Sequence, residues 1–240
     1  RVILDVVYNH VYIWEESDFE KIVPGYYFRF YENGQISNGT GVGNDIASER
    51  KMVQKFIIDC VKFWAKEYNV DGFRFDLMGI LDIDTMSKIA QALQVINPDI
   101  IILGEGWNLN TSLPPEKRAT IDNAKQLPAV SFFNDRFRDR LKGSSFNHFE
   151  KGFINGNAEL KEAVKEVLGG MVQEPNSLFI SPDQSINYIE CHDNHTLWDK
   201  LNLSNHEDPE KLRMNMHRLG TTMVLTAQGI PFLHAGQEFF

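Results

Sequence analysis

The stretch Asp71-Gly72-Phe73-Arg74-Phe75-Asp76 decides the fold. Side chains alternate faces along a strand, so Gly72, Arg74 and Asp76 point one way and Phe73 and Phe75 the other. Charges on one face and phenylalanines on the opposite face do not suit a sandwich interior. They suit a barrel strand whose outer face meets helices and whose last inward residue reaches a polar mouth. A guanidinium beside a carboxylate favours the ionised form, the state a nucleophile needs. Glu105 closes a second strand-like run and Asp193 a third. Three acids at three strand ends point to an enzyme.

Working outward, strand-like runs rich in β-branched or aromatic residues lie at Val2–Val7, Gly72–Asp76, Ile100–Glu105, Ala129–Asn134, Ile186–Asp193 and Ile230–His234. Helical patterns separate most of them. From Ser48 to Tyr68 the positions Met52, Val53, Phe56, Ile57, Cys60, Val61 and Trp64 form one apolar helix face. A second helix is expected from an N-cap at Asp84 to just before Asn97-Pro98, and a third around Leu160–Val167, closed by Gly169-Gly170. A fourth should start at Asp208-Pro209 and end at Gly229. Strand–helix alternation implies a parallel sheet. With catalytic candidates at several strand ends, the expected fold is an α/β (β/α)8 TIM barrel, incomplete, with about six of its eight strands in residues 1–240.

Two long loops follow strand ends, at about 11–44 and 106–128, and loops of this length in a compact domain are usually functional. The first carries Tyr26, Tyr27, Phe28, Phe30 and Tyr31, which either stack on sugars or anchor the loop. A chain of 240 residues buries one large core, and one domain is expected. The net charge of −9 disfavours nucleic acid or an anionic membrane as a partner, and no apolar run is long enough to span a bilayer. Cys60 and Cys191 read as buried free thiols and do not fix a compartment. The chain opens at Arg1 directly into a strand-like run and ends soon after another. A piece of a longer protein is expected, partnered by the remainder of its own chain.

Four segments stand in order: Asp5–His10 (DVVYNH), Gly72–Asp76 (GFRFD), Gly104–Trp107 (GEGW) and Cys191–Lys200 (CHDNHTLWDK). Together they resemble the four conserved regions of the α-amylase superfamily of retaining glycoside hydrolases. The Gly-Trp after Glu105 and the stretch HDNHTLWDK look most like the bacterial type I pullulanase branch, which debranches α-glucans. The tyrosine-rich motif that normally precedes the first region in that branch is absent. The resemblance implies that Asp76 is the nucleophile, Glu105 the general acid/base and Asp193 the third acid. It implies sugar binding by Arg74, His192, His10, Asp5 and Asn194, and stacking by Trp107. The substrate implied is a branched α-glucan such as pullulan, starch or glycogen. No catalytic cofactor and no catalytic metal is implied. Asn9 resembles a calcium-site asparagine of many amylases, which leaves room for a structural calcium ion.

The chemistry asks for these residue types independently. Retention needs two carboxyl groups about 5 Å apart, one to attack the anomeric carbon and one to protonate the leaving oxygen. Asp76 beside Arg74 suits attack. Glu105 has no basic neighbour in sequence and follows Ile101–Leu103, an apolar setting in which a glutamate keeps its proton as an acid must. A two-metal or zinc hydrolase would draw on Asp5, His10, His192, Asp193 and His195, but no His-x-His pair is present. A non-catalytic amylase-like binding protein would have lost its acids, and all three are here. Amylases, isoamylases and branching enzymes share the four segments, and the loops decide among them.

Overall fold

The computed structural model describes all 240 residues, Arg1–Phe240, which divide into two units, Arg1–Phe132 and Phe133–Phe240. In the first unit, strand β1 (Ile3–Val6) leads through a short helix α1 (Asp18–Ile22) and a long loop to α2 (Lys51–Glu67). Strand β2 (Gly72–Phe75), α3 (Ile83–Ile96), β3 (Ile101–Gly104) and β4 (Ser131–Phe133) follow. The strands pair in parallel and in chain order: Asp5 is level with Arg74, Arg74 with Leu103, and Leu103 with Ser131. Gly72 is required by the closeness of β3, since a Cβ there would lie 2.5 Å from the Ile101 carbonyl oxygen.

Alternation along β2 does what its residues dictate. Phe73 and Phe75 are fully buried, while Arg74 sits on the other face among carboxylates. Helix α2 buries Val53, Ile57, Val61 and Ala65, and α3 buries Met86, Ile89, Ala90 and Leu93. At about 25 cal/mol per Å² of apolar surface, these two helix faces stabilise the unit far more than any surface ion pair.

The N-cap of α3 is Asp82, not Asp84. Asp82 has extended backbone (φ −88°, ψ 153°) and its Oδ1 accepts from Thr85 N at 2.9 Å, as an N-cap does. Asp84 already lies in the first turn and pairs with Lys88 on the surface.

The second unit contains α4 (Asp135–Lys142), α5 (Lys161–Leu168), β5 (Ser185–Asn187), α6 (Leu197–Ser204), α7 (Glu210–Thr226) and β6 (Ile230–Pro231). β5 and β6 pair in parallel with Ile186 opposite Ile230, and the Asn134 amide donates to the Ile186 carbonyl at 3.1 Å. The strand expected over Ile186–Asp193 stops at Asn187. Its last ladder bond runs from Phe232 N to the Asn187 carbonyl at 2.9 Å, and beyond it Tyr188, Ile189 and Glu190 stay buried as irregular chain. Helix α7 is capped at Pro209 and ends at Thr226, short of Gly229. Both cysteines are free, but each is half-buried rather than fully enclosed.

Candidate active site

In the first unit the strand ends place three carboxylates around one guanidinium. Arg74 Nη1 donates to Asp5 Oδ1 at 2.8 Å and to Asp76 Oδ1 at 2.9 Å, while Nη2 donates to Glu105 Oε1. Asp5 lies within β1, level with Arg74, and its side chain is largely exposed. Glu105 is 5% exposed. Burial pulls the Arg74 guanidinium down, but the bond to Asp5 and the fields of Glu105, Asp5 and Asp76 outweigh it and hold the group above its ordinary value. Glu105 therefore does have a basic neighbour. Residues that are distant in sequence meet because β2 and β3 run side by side.

The candidate nucleophile has a second anchor that its residue type did not reveal. Asn9 is fully buried, and its Nδ2 donates to the Asp76 backbone oxygen at 2.7 Å and to Oδ2 at 3.0 Å. The other end of the same amide, Oδ1, faces His10 Nδ1 at 2.6 Å. His10 is thus tied to Asp76 through Asn9. Asp76 is left with one oxygen on Arg74 and one on Asn9, a fixed orientation for a carboxylate that must attack along one line.

Glu105 is held from its other side by backbone. Leu77 N donates to Oε2 at 3.0 Å, and the Glu105 carbonyl accepts from Gly79 N at 3.0 Å. Leu77 adopts the left-handed region (φ 39°, ψ 45°), and the tight turn Met78–Ile80 follows. Gly79 lies against the Trp107 backbone, where a Cβ would come within 2.0 Å of the Trp107 carbonyl oxygen. Trp107 is half-buried.

The long loops of this unit are anchored structures. Phe28 is fully buried against Trp14, Phe30 meets the same indole edge-on, and Tyr27 stacks on Phe19 at 4.5 Å. The tyrosine-rich cluster is therefore an anchor for the loop. The buried Arg29 donates to the Ile80 carbonyl, to Thr111 Oγ1 and to Glu49, tying the first loop to the second.

In the second unit, His192, Asp193 and Asn194 lie in the exposed turn between Glu190 and α6. His192 Nε2 is 3.6 Å from Asp193 Oδ1, and Asn194 is left-handed (φ 67°). The turn is pinned at both ends. Buried Glu190 accepts from Leu197 N at 2.5 Å with one oxygen and meets His234 Nδ1 at 3.1 Å with the other. Thr196 caps α6, its Oγ1 accepting from Asp199 N. Half of the HDNHTLWDK segment is therefore helix: Lys200 is buried and donates to the Ser144 and Asn147 carbonyls. Sequence reading missed this helix because its eight residues show too short an apolar period.

Residues 24–240 match the model of the alpha-amylase family, described as alpha amylase, catalytic domain. The chain belongs to that family. Its six strands, parallel wherever they pair, are those of a partial (β/α)8 barrel. Among curated relatives, a pullulanase of Bacillus subtilis (strain 168) is 52% identical over all of this chain, which covers 34% of that protein. Pullulanase A of Streptococcus pneumoniae is 36% identical over 99% of the chain and 19% of its own length. Among solved structures, pullulanase from Anoxybacillus sp. LM18-11 complexed with maltotriose is 62% identical, with a TM-score of 0.96 over the whole chain and 34% of its own. Pullulanase type I from Bacillus subtilis str. 168 complexed with maltose gives 0.97 at 52% identity. This alpha-amylase-family chain thus spans about a third of the length of the Bacillus and Anoxybacillus relatives and about a fifth of the Streptococcus one.

Proposed function

We propose that these 240 residues form the central part of the catalytic barrel of a retaining α-glucan hydrolase that cuts α-1,6 links, as in pullulan. The observation that carries the reading is Arg74 bonded at once to Asp76 and Glu105, two carboxylates at the ends of neighbouring parallel strands. In this reading Asp76 attacks the anomeric carbon and forms a covalent glycosyl–enzyme. Glu105 protonates the departing glycosidic oxygen and then removes a proton from the incoming water. Arg74 and Asn9 keep Asp76 oriented, with Asp5 bracing Arg74 and His10 bracing Asn9. Asp193, His192 and Asn194 bind the hydroxyls of the reacting sugar, and Trp107 stacks on the ring next to it on the leaving-group side. The pullulanases similar to this chain at 52% and 62% identity support the choice of bond.

Chemistry of the alpha-amylase family needs no catalytic cofactor, and the reaction here is carried by carboxyl groups. Calcium does not fit at Asn9. Its side-chain oxygen faces His10 Nδ1 and its nitrogen donates to Asp76, so both ends of the amide are already engaged. The partners in this reading are an α-glucan chain and the barrel strands outside these six.

Product analysis tests the reading. The protein carrying this chain within a complete barrel, incubated separately with pullulan and amylose, should release maltotriose from pullulan and leave amylose long. Rapid shortening of amylose with pullulan untouched would reject the α-1,6 assignment, and inertness toward both would reject the glycosidase.

A further inference from the structure

Arg118 is buried at 9% exposure, and it pairs with no carboxylate. Its guanidinium donates instead into the loop that precedes it in the chain. Nε reaches the Leu113 carbonyl at 2.6 Å, Nη2 the Thr111 carbonyl at 2.8 Å, and Nη1 both the Leu109 carbonyl at 2.9 Å and Asn108 Oδ1 at 3.2 Å. Four acceptors from residues 108–113 thus converge on one side chain, and the segment wraps around it. The backbone at Arg118 is fixed as well, in an antiparallel bridge with Asp82, and the next amide, Ala119 N, donates to the Leu81 carbonyl at 2.9 Å. Buried carbonyls without partners are costly, and charge-assisted bonds are the strong ones. This guanidinium therefore sets the shape of the loop.

The loop begins at Trp107, two residues after Glu105. Its far side is locked by Thr111, which accepts from Arg29, and by Ser112 N, which donates to Ser37 Oγ at 3.0 Å. A Cβ at Gly39 would lie 2.8 Å from Thr111 N, so the first loop is in direct contact with this segment. Trp107 is thus suspended between two fixed points, the Gly79 turn on one side and the Arg118 clamp on the other.

We propose that Arg118 is a positioning residue for glucan recognition, acting through the Trp107–Leu113 segment and without touching the sugar. This rests on the glycosidase reading above. Lysine cannot replace it: a single ammonium cannot meet four acceptors spread along a planar fork, although it preserves the charge. In Arg118→Lys the segment should loosen, and the loss should fall on substrates long enough to reach Trp107. A small α-glycosyl fluoride carries no sugar on its leaving-group side, where Trp107 stacks in this reading, and should be spared.

The experiment uses the protein with its complete barrel, as wild type, Arg118→Lys and Arg118→Met. For pullulan, KM should rise about tenfold or more in both variants, the scale of a misplaced contact, while kcat/KM for maltosyl fluoride stays within about twofold of wild type. Hydrogen exchange supplies a readout that needs no activity. Amides of residues 108–113 should exchange at least about tenfold faster in the variants, with α2 and α3 unchanged. If wild type is inert on every α-glucan, the glycosidase reading fails and hydrogen exchange still judges the clamp. An active wild type whose variants keep the pullulan KM, or lose fluoride and pullulan hydrolysis in equal proportion, would overturn the positioning role. Unchanged exchange over 108–113 would overturn the clamp itself.

Discussion

The backbone amide of Leu77 donates to Oε2 of Glu105 at 3.0 Å, and Leu77 makes that bond from a left-handed conformation. The residue immediately after one candidate catalytic carboxylate thus orients the other. A left-handed non-glycine residue costs about 1–2 kcal/mol, which the surrounding turn sustains. Leu77→Gly keeps the N–H and removes the steric penalty, so turnover should be largely retained. Leu77→Val puts a β-branched side chain where such residues are outliers, and kcat should fall about tenfold or more as Glu105 loses its anchor. Equal kcat values for the two variants would show that the left-handed amide does not hold Glu105.

Gly79 makes a related prediction about backbone contact. Its amide holds the Glu105 carbonyl, and its missing side chain leaves room for the Trp107 carbonyl at a distance no Cβ tolerates. Because the obstructing atom is backbone, Gly79→Ala must displace the Glu105–Trp107 segment. Overpacking of this kind costs about 1–3 kcal/mol, and KM for pullulan should rise together with the loss of stability. Thermal unfolding and steady-state kinetics on the same preparation check both, and a variant with wild-type KM would count against a role for this turn in placing Trp107.

The strands were legible in the sequence because each is a short apolar run between helical patterns, and all six appear where those runs lie. Their ends were less legible. Asp193 reads as the last residue of a strand, yet β5 pairs with β6 only as far as Asn187, and where pairing stops is set by the partner strand, which no single run encodes. Residue type pointed to Asp76 and Glu105 and to Arg74 beside Asp76, where a 2.9 Å bond joins the two, but their other anchors could not be read. Asn9 looks like a metal ligand and serves as a hydrogen-bond brace, while the anchors of Glu105 are an arginine from another strand and a main-chain amide. Helices α4 and α6 escaped for a different reason: both are short, and α4 (DRFRDRLK) is nearly all charged. Its Arg138, Leu141 and Lys142 are buried by tertiary packing that overrides composition.

Lys142 gives a stability prediction independent of function. Its side chain is 2% exposed, and burial first, then the Arg138 guanidinium, push the ammonium down to about 8 from 10.5. The folded state therefore binds fewer protons than the unfolded state between those values, and stability should rise with pH across the window. The penalty is fully present below pH 8 and amounts to about 3 kcal/mol. Lys142→Met removes the titrating group, so it should be more stable than wild type at pH 7, with the advantage shrinking toward pH 10. Tyr8 and Tyr188, both pushed up chiefly by burial, oppose the trend at high pH, but they are common to both proteins and cancel in the difference. Urea midpoints at several pH values decide it, and a constant difference would mean that Lys142 does not carry the effect.

Glu105→Gln separates the two chemical roles assigned to one side chain. The amide keeps the shape of the carboxyl and its one oxygen can accept from either Arg74 or Leu77, but it can neither protonate a leaving oxygen nor take a proton from water. With pullulan, whose sugar leaving group needs protonation, turnover should fall by about 100- to 10,000-fold. With maltosyl fluoride the first step needs little acid, so the glycosyl–enzyme on Asp76 should form and accumulate. Azide, which needs no general base, should then release it as the α-glycosyl azide, because attack comes from the face opposite Asp76. Asp76→Asn should give neither hydrolysis nor azide product with either substrate. Loss of fluoride and pullulan activity to the same extent in Glu105→Gln, with no azide product, would show that Glu105 is not the acid/base.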